Sequence, residues 1–510
     1  MNPSRDLRAL AAGALVLTVL LACFWWRDLG TAIYVGYDDP WELLKIGFFV
    51  RHPELGARVW NDQPWLHTLL NAWLCRSIAP GAWIPRLFTI ASVAAMWAAV
   101  GWMGRGVPGA LGLTTGFLLV AGTDTGLRLM LSTMLEPASM AWAVVAAALL
   151  CGGVAGPGPF RAALSGLVMA AALHIKFTAA ITVPGMVFLV LRRYGWRGAL
   201  RLLPAWMTGF GAGFVGLVWA SPSFRWDWLL ASHWEARHGI ESGFEPPTPL
   251  EILLQVENLP WLLAGLAGLA WALRTGASPV ETFALGWLAG ASAFACVARP
   301  WWYYYQYHFL VPASLLGGGF LERTLACLGA WGPGARTEAR FAGSHGGRFS
   351  LPVWSCILVP ATVGALWLGF GLTGTLRTLM FMGPGFTPAQ PLVVQMLREQ
   401  APRIRWCYGS VEYLAELVQA GVYPPPELLV MSPKRLWSGQ LNLSRLAHIL
   451  ESTGTELLLL HRRREPADPN FAEWLHRRYR MWESMGDAQI WILQSSGASD
   501  AGVPVHSDGS

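Results

Sequence analysis

The chain has 510 residues, a net charge of +6 and 54% hydrophobic residues, but only 13% charged residues. A soluble domain carries about 25% charged residues, so this composition excludes an ordinary soluble globular protein. The 29 tryptophans and 56 glycines favour a membrane protein, because Trp prefers the membrane interface and Gly lets spanning helices pack closely. The basic residues are dispersed in short links between apolar runs, which argues against nucleic-acid binding. The seven cysteines form no CxxC pair, which disfavours a disulfide framework or a zinc site.

About eleven apolar stretches are candidates to cross the ~30 Å hydrocarbon core as helices. The first is long for a signal-peptide core and lacks a clear cleavage site, so we interpret it as a retained span. Several are short, especially the two that meet near Lys176. The candidates are residues 9–26, 85–103, 109–122, 132–152, 162–174, 177–191, 202–220, 259–273, 280–298, 309–321 and 351–371.

The basic residues between these stretches predict the orientation of the chain. If Arg5 and Arg8 are cytoplasmic, the basic links all lie on the inner side, as the positive-inside rule expects. The loops 27–84 and 221–258 and everything after about residue 372 then lie outside, which implies an odd number of spans. Short links without a eukaryotic-type insertion domain favour a bacterial inner membrane, with the periplasm outside. The inner links hold Arg105, Arg161, Arg192, Arg193, Arg197, Arg201, Arg274, Arg323, Arg336, Arg340 and Arg348.

The outside loops and the C-terminal region have patterns of their own. In loop 27–84, PWELLKIGFFV and PWLHTLLNAWLC each carry apolar residues on one helical face, which predicts helices lying along the membrane interface. After about residue 385, strand-like runs (RIRWCYG, ELLVM, ELLLLH and QIWILQ) alternate with helix-like stretches such as NFAEWLHRRYRMWESM. We therefore predict an α-helical polytopic membrane domain over 1–380, a small extracytoplasmic α/β domain over 386–495 and a disordered tail over 496–510.

Two adjacent acids, Asp38 and Asp39, follow the first apolar run in the stretch VGYDDPWELL. A carboxylate beside the membrane can accept a proton from a hydroxyl group or orient an acceptor. Partial burial raises the pKa of such a group, and repulsion between two acids separates their proton affinities. The alternative is that these residues cap a helix or lie solvated in a loop.

The order of motifs around this pair resembles the polyprenyl-phosphate-sugar-dependent glycosyltransferases of the C superfamily. That superfamily includes the protein O-mannosyltransferases and the aminoarabinose transferases of lipid A. YDDPWELLKIGFF matches the acid pair and its amphipathic helix, NDQPWLHTLLNAWL the following Pro-containing helix, and IPRLFTIASVAAMWAAVGWMGR the Arg-opened second span. Asp39 stands where relatives carry Glu, and Trp65 stands where they carry a second Pro. The resemblance covers about residues 5–375.

Three later motifs also resemble the superfamily. MLEPASMAWAVVAAALL places Glu136 at the second acidic motif, and ALHIKFTAAITVPGMVFLVL places Lys176 at the reversal between two short spans. HIKFT lacks the Gly that often follows this Lys. WWYYYQYHFLVPASLL, which contains Tyr304, matches the aromatic start of a late span.

The resemblance implies transfer of a sugar, with inversion, from a polyprenyl-phosphate donor to a lipid, glycan or protein acceptor on the extracytoplasmic side. Asp38 would be the general base for a hydroxyl acceptor, or would orient an acceptor that is already ionised. Asp39 would help to position the acceptor or a cation. The leaving phosphate needs cations nearby, for which the candidates are Lys176, Arg86, Arg299 and His308. Residues expected to position donor or acceptor are Glu136, Gln63, His67, His174 and Tyr304. No metal-ligand cluster is evident, and the need for a divalent cation such as Mg²⁺ or Mn²⁺ stays open.

Each of these residues has a structural alternative. Glu136 could cap the helix that begins before Pro137, and Lys176 could snorkel to the membrane interface. Arg86 and Arg299 could be interfacial anchors, and His67 could be a packing residue.

Two other functions compete with the glycosyltransferase. A transporter or lipid flippase would need polar residues within its spans or two matching halves, whereas the spans here have almost purely apolar middles. An inactive member of the superfamily, with a C-terminal domain that binds a partner, is the other alternative.

Overall fold

The computed structural model describes residues 3–31, 35, 38–78, 81–104, 109–151, 157–236, 247–298, 300–329, 353–382 and 390–494. Arg299 and the predicted disordered tail, 496–510, lie outside these residues. The described chain forms two compact units. The first contains the apolar helices, and the second contains residues 51–60, 231–236 and 390–494.

The first unit is helical throughout its described residues. Its buried apolar side chains form one large core to which most of the long helices contribute. The helices are α1 (Pro3–Trp26), α2 (Asp39–Arg51), α3 (Leu66–Ser77), α4 (Trp83–Met103), α5 (Ala110–Ala121), α6 (Asp124–Leu131), α7 (Leu135–Leu150), α8 (Pro159–Ile175), α9 (Val183–Ala220), α11 (Pro249–Leu253), α12 (Leu259–Thr275), α13 (Pro279–Val297), α14 (Tyr307–Gly329), α15 (Val353–Leu366) and α16 (Thr373–Phe381), while α10 (Ser232–Ala236) belongs to the second unit.

Several of these helices can cross a membrane. Within the described residues five helical stretches are long and apolar enough, and a sixth arises if α5 and α6, which meet at a bend of 96°, form one broken span. Three shorter apolar helices, Leu10–Trp26, Leu135–Leu150 and Pro159–Ile175, accompany them. The polytopic helical architecture is therefore confirmed, while the count of about eleven spans stays a prediction. The five stretches are Trp83–Met103, Phe177–Ala220, Val256–Thr275, Pro279–Val297 and Leu358–Phe381.

The chain reverses direction at Lys176. Helix α8 ends at Ile175, Lys176 is extended (φ −157°, ψ 131°), and a 3-10 turn, Phe177–Thr182, leads into α9. Helix α9 is interrupted at Gly195, where φ is 64° and ψ is −179°. A residue with a side chain rarely adopts this backbone conformation, so glycine permits the break. The break separates the two predicted spans 177–191 and 202–220.

Glycine also permits a close helix contact in the core. A Cβ atom added to Gly286 of α13 would lie 2.5 Å from the Cα atom of Gly185 in α9. The absence of side chains at this pair of glycines allows the two backbones to approach closely, as small residues do where spanning helices pack. This contact brings α13 against α9 just beyond the Lys176 reversal.

The second unit carries a four-stranded sheet with the order β1-β2-β4-β3. Strand β1 (Cys407–Gly409) is parallel to β2 (Leu457–His461), and β4 (Ala488–Leu493) is antiparallel to both β2 and β3 (Tyr479–Met485). The helices around it are α17 (Pro391–Gln400), α18 (Leu414–Ala420), α19 (Pro433–Trp437), α20 (Leu443–Ser452) and α21 (Pro469–Arg478).

Two local predictions in this unit are wrong. The run ELLVM, residues 427–431, is not a strand, because its first residues continue a 3-10 turn, Pro426–Leu428. The stretch NFAEWLHRRYRMWESM is helical only as far as Arg478, and the rest forms β3. Gly486, with φ at 61°, makes the tight turn that pairs β3 with β4 as a hairpin.

The second unit also contains residues 51–60 and 231–236 from earlier in the sequence, and the first of these segments makes specific contacts with the C-terminal region. The side chain of Arg58 forms an ion pair with Glu427, with 2.7 Å between Nη2 and Oε1. The indole N–H of Trp60 donates to Gln440 Oε1 at 2.9 Å, and the guanidinium of Arg435 lies 5.0 Å from the Trp60 ring centroid. Residues 51–60, which the sequence places within the membrane domain of 1–380, therefore belong to the same unit as the C-terminal sheet.

Candidate active site

Asp39 is held by hydrogen bonds on both carboxylate oxygens. Oδ1 accepts from the backbone N–H of Thr133 at 2.7 Å and from its hydroxyl at 2.6 Å. Oδ2 accepts from the backbone N–H of Val35 at 3.2 Å and from the guanidinium of Arg86. Arg86 also donates to the carbonyl of Leu29, and both charged side chains are fully buried.

This arrangement differs from the roles expected for Asp39 and Arg86. A carboxylate that already accepts four hydrogen bonds has no free site for an acceptor, and a guanidinium in a buried pair is not available to a donor phosphate. The pair instead joins the start of α2 to α4 and to Thr133, which precedes α7. We assign the two residues a positioning role.

Asp38 lies at the N-terminal boundary of α2, where its carbonyl accepts from the backbone N–H of Glu42 at 3.1 Å. Its side chain is half-buried. Burial raises the pKa of Tyr304 well above its ordinary value, and the Asp38 carboxylate raises it further. Asp38 also acts in this direction on the pKa of Tyr305. The first acid of the pair is therefore half-buried and acts electrostatically on the aromatic turn before α14, whereas its neighbour is enclosed.

Lys176 and Glu136 form a second buried ion pair. Lys176 is 6% exposed and Glu136 is fully buried, so Lys176 does not reach the membrane surface. Glu136 makes no capping hydrogen bond at the start of α7. The contacts of the two side chains therefore favour an enclosed ion pair over snorkelling or helix capping.

Two tyrosines cover the ammonium group of Lys176. Its Nζ lies 4.8 Å from the ring centroid of Tyr304 and 6.0 Å from that of Tyr305. These distances allow cation–π attraction. Glu136 also raises the pKa of both tyrosines, after burial. Its Oε2 has no hydrogen-bond partner within the described part of the chain, so the pair keeps capacity for a further group.

A third buried pair was not foreseen from the sequence. Glu42 Oε1 lies 2.6 Å from Lys45 Nζ, and both side chains are buried. Burial raises the pKa of Glu42, while Lys45 and, more weakly, Lys176 lower it and Asp62 raises it. The pair therefore belongs to the same charged region as Lys176. The sequence feature that could have predicted this pair is the i,i+3 spacing of Glu42 and Lys45 on α2. The amphipathic pattern of this stretch instead predicts only a helix at the membrane interface.

The three candidate histidines are all fully buried. His67 packs against Phe88, with ring centroids 5.7 Å apart, and its Nδ1 lies 3.9 Å from Glu42 Oε2. Burial lowers the pKa of His67 to about 3, so this imidazole is neutral at physiological pH. The packing role considered for it therefore fits best.

The other two histidines lie in different surroundings. His174 is enclosed by Phe214 and Phe224, with ring centroids 4.7 and 5.5 Å away, and contacts none of the charged pairs among the described residues. His308 lies on the first turn of α14, with its ring 6.1 Å from that of Tyr305, so it borders the Lys176 region.

Gln63 forms a local turn. Its carbonyl accepts from the side-chain amide of Asn61 at 2.7 Å, and its backbone N–H donates to Asn61 Oδ1 at 3.4 Å. This turn precedes α3.

A buried chain of polar side chains fixes the tyrosine turn. Asn258 Nδ2 donates to Gln306 Oε1 at 2.9 Å, and Gln306 Nε2 donates to the hydroxyl of Thr125. The indole N–H of Trp261 donates to Asn258 Oδ1 at 2.9 Å. Because Gln306 ends the 3-10 turn Tyr303–Gln306, this chain sets where Tyr304 and Tyr305 lie. Gln306 lies in the aromatic motif WWYYYQYHFLVPASLL, but no motif points to Asn258, Thr125 or Trp261, since the partners are far apart in the sequence.

The site therefore combines a half-buried carboxylate with a buried cation. Lys176 lies beside Tyr304, the Asp38 carboxylate acts electrostatically on the same tyrosine, and Glu136 holds the cation in place. Such a set can bind an anionic phosphate and orient or deprotonate a hydroxyl group. Within the described ranges no three His, Cys, Asp or Glu side chains come together as a metal site.

The fold is similar to those of solved membrane enzymes. ArnT from Cupriavidus metallidurans bound to undecaprenyl phosphate is 14% identical with a TM-score of 0.61, covering 96% of this chain and 99% of that chain. Its apo state, also 14% identical, gives a TM-score of 0.60 over 94% of this chain and 97% of that chain. AglB, the oligosaccharyltransferase of Archaeoglobus fulgidus, was solved in complex with an inhibitory peptide and a dolichol-phosphate. It is 11% identical to this chain, with a TM-score of 0.53, covering 97% of this chain and 75% of that chain.

No protein-family model and no curated protein sequence matches this chain. ArnT, an aminoarabinose transferase, and AglB both belong to the glycosyltransferase C superfamily. The resemblance inferred from the motifs is thus confirmed at the level of the fold.

Proposed function

We propose that this protein is an integral membrane glycosyltransferase. It transfers a hexosyl or pentosyl group from a polyprenyl-phosphate donor to a lipid, glycan or protein acceptor on the extracytoplasmic side, with inversion. The observation that carries the proposal is the buried Lys176–Glu136 pair under Tyr304 and Tyr305, two tyrosines on which the half-buried Asp38 also acts electrostatically. The shared fold adds support, because ArnT and AglB were solved with undecaprenyl phosphate and dolichol-phosphate bound.

The reaction needs a base and a phosphate site. An acceptor hydroxyl attacks the anomeric carbon opposite the phosphate, and its proton goes to Asp38. The bond between the anomeric carbon and the phosphate oxygen breaks, and its electron pair leaves with the polyprenyl phosphate. An ammonium group has three N–H donors, so Lys176 can stabilise the developing phosphate charge while one N–H stays with Glu136. If the acceptor is already ionised, Asp38 orients it instead.

Two further features serve this reaction. Asp39 and Arg86 fix the start of α2 and so hold Asp38 in place. The second half of α9 exposes large apolar side chains, including Met207, Val215 and Trp219, which provide an apolar face for a prenyl chain. No step of this mechanism is assigned to a divalent cation. The short links favour a bacterial inner membrane, and their basic residues favour an orientation in which the site faces the periplasm.

The test is sugar transfer by the purified full-length protein in nanodiscs. A panel of undecaprenyl-phosphate hexoses and pentoses serves as donors, and extracted envelope lipids and glycans serve as acceptors. Asp38→Asn should lower the transfer rate by about 10²- to 10⁴-fold, the usual contribution of a general base. Asp227→Asn is the matched control, since Asp227 is an exposed carboxylate paired with Arg225. Full activity in the Asp38 variant would refute this mechanism.

A further inference from the structure

An open cleft of about 610 Å³ is lined in part by Tyr303, the first residue of the tyrosine turn. Its walls include Asp124 and Thr125 at the start of α6, Gln255 and Glu257 before α12, and Tyr303. The last apolar helical stretch contributes Phe370. The volume falls within the range of small-molecule sites, about 300–1,000 Å³.

The cleft contains polar groups that the protein does not satisfy. Glu257 is half-buried, and among the described residues it has no hydrogen bond or ion pair. The side-chain amide of Gln255 likewise has no partner in the part of the chain that the structure describes. Partly buried polar groups without partners cost free energy unless a ligand or solvent pairs with them.

The charges in the cleft do not suit a metal ion. The second carboxylate, Asp124, is already paired with Arg128, with 2.7 Å between Oδ1 and Nε, and it also accepts from the hydroxyl of Thr378. Arg128 and Asp124 both act electrostatically on Glu257. A cation would therefore meet one unpaired carboxylate with a guanidinium close by, which is too few ligands for Mg²⁺ or Ca²⁺.

The aromatic walls favour a saccharide. Tyr303 is 42% exposed and Phe370 is 45% exposed, so part of each ring is available to a ligand. The C–H face of a sugar ring packs against aromatic rings, while its hydroxyl groups donate to a carboxylate and accept from an amide. The cleft presents these groups together in Glu257, Gln255 and the two rings.

The cleft is also joined to the proposed reaction site. Tyr303 is the first residue of the 3-10 turn that carries Tyr304 and Tyr305. Thr125, a wall residue, and Asn258, the neighbour of Glu257, both hydrogen-bond to Gln306 at the end of that turn. A ligand that fixes these walls would also fix the rings over Lys176.

We propose that this cleft is an acceptor subsite that binds a saccharide, in which Glu257 and Gln255 pair with its hydroxyl groups and Tyr303 and Phe370 pack against its ring. The assignment of the saccharide to the acceptor rests on the proposed function. The sugar can be the head group of a glycolipid or part of a free glycan.

The test is ligand binding by the full-length protein in nanodiscs, measured by native mass spectrometry. One arm uses glycolipids that carry glucose, galactose, mannose or N-acetylglucosamine, and the other uses the matching free methyl glycosides. Glu257→Ala and Gln255→Ala should each weaken binding, Glu257→Ala by about 10- to 100-fold. Glu257 has no partner among the described residues, so its removal should leave the melting temperature unchanged. Glu473→Ala, at an exposed carboxylate of the second unit, is the control.

Binding of glycolipids alone would identify a lipid-borne acceptor, and binding in both arms a glycan recognised by its sugar. Equal affinities of the wild type and Glu257→Ala, or no binding to any probe, would overturn the subsite. Binding of Mn²⁺ that is lost in Glu257→Ala would overturn the saccharide assignment. Undecaprenyl phosphate is titrated in parallel: if it binds while the saccharides do not, the subsite fails and the proposed function stands. Absence of undecaprenyl phosphate binding would count against the proposed function itself.

Discussion

The Asp39–Arg86 and Glu136–Lys176 pairs each join a carboxylate and a cation that are almost entirely removed from water. Asp39 is surrounded by donors on every side, and its cation is engaged by the carbonyl of Leu29. Glu136 keeps an oxygen without a partner in the described chain, and Lys176 faces two tyrosine rings. The Asp39–Arg86 pair therefore has the features of a structural ion pair that connects helices. The Glu136–Lys176 pair has the features of a binding site, because it can still accept a ligand. Burial alone therefore does not separate structural from functional ion pairs; the hydrogen-bonding capacity that remains on the carboxylate distinguishes these two pairs.

The largest expected effect comes from breaking the structural pair. Arg86→Met leaves the Asp39 carboxylate buried without its cation, which should lower the free energy of unfolding by about 3–5 kcal/mol. Thermal unfolding in detergent measures the loss. Arg225→Met removes one partner of an exposed pair and should change stability by at most about 1 kcal/mol. Equal shifts in the two variants would contradict the structural role of Arg86.

The second pair should respond in activity rather than in stability. The double variant Glu136→Gln with Lys176→Met removes both charges together, which is often neutral for stability. Transfer should fall by about 10²- to 10³-fold, the usual cost of losing one group that stabilises charge in the transition state. Transfer kinetics and undecaprenyl phosphate binding measure the loss of function, and a melting curve tests whether stability is unchanged. A double variant that binds the lipid phosphate as the wild type does would remove Lys176 from the phosphate site.

The smallest effect separates the ring of Tyr304 from its hydroxyl. Tyr304→Phe keeps an aromatic face over Lys176 and should leave undecaprenyl phosphate affinity unchanged. Tyr304→Leu removes the cation–π contact and should weaken that affinity by the equivalent of about 0.5–2 kcal/mol. Titration of the lipid phosphate against both variants measures the difference. If the Phe variant loses as much affinity as the Leu variant, the hydroxyl rather than the ring acts on the site.

The sequence predicted the membrane class, the C-terminal sheet region and the residues around Lys176 because these depend on local signals. Apolar runs mark spans, and short motifs in a fixed order point to Glu136, Lys176 and Tyr304, which lie together in the structure, and to Asp38, which acts electrostatically on Tyr304.

Long-range pairing was beyond the same signals. The hydrogen bonds from Thr133 to Asp39 join residues that are 94 positions apart. No local sequence pattern around either residue predicts that the two are in contact. Lys45 is buried although it lies on what the pattern indicates as a polar face. The β3 hairpin was missed because the helical pattern of NFAEWLHRR runs on without a break until Gly486 forces the turn.

The make-up of the second unit bears on how the chain can be divided. Trp60 is only 3% exposed, and its covering partners, Gln440 and Arg435, come from the C-terminal region. A fragment that starts at residue 386 would lack the indole of Trp60. A fragment that ends before the sheet would keep this indole but lose Gln440 and Arg435, and so expose it to solvent. Because the second unit contains residues from both parts of the chain, neither fragment is expected to fold on its own. Expression of the two fragments separately should therefore yield aggregated protein.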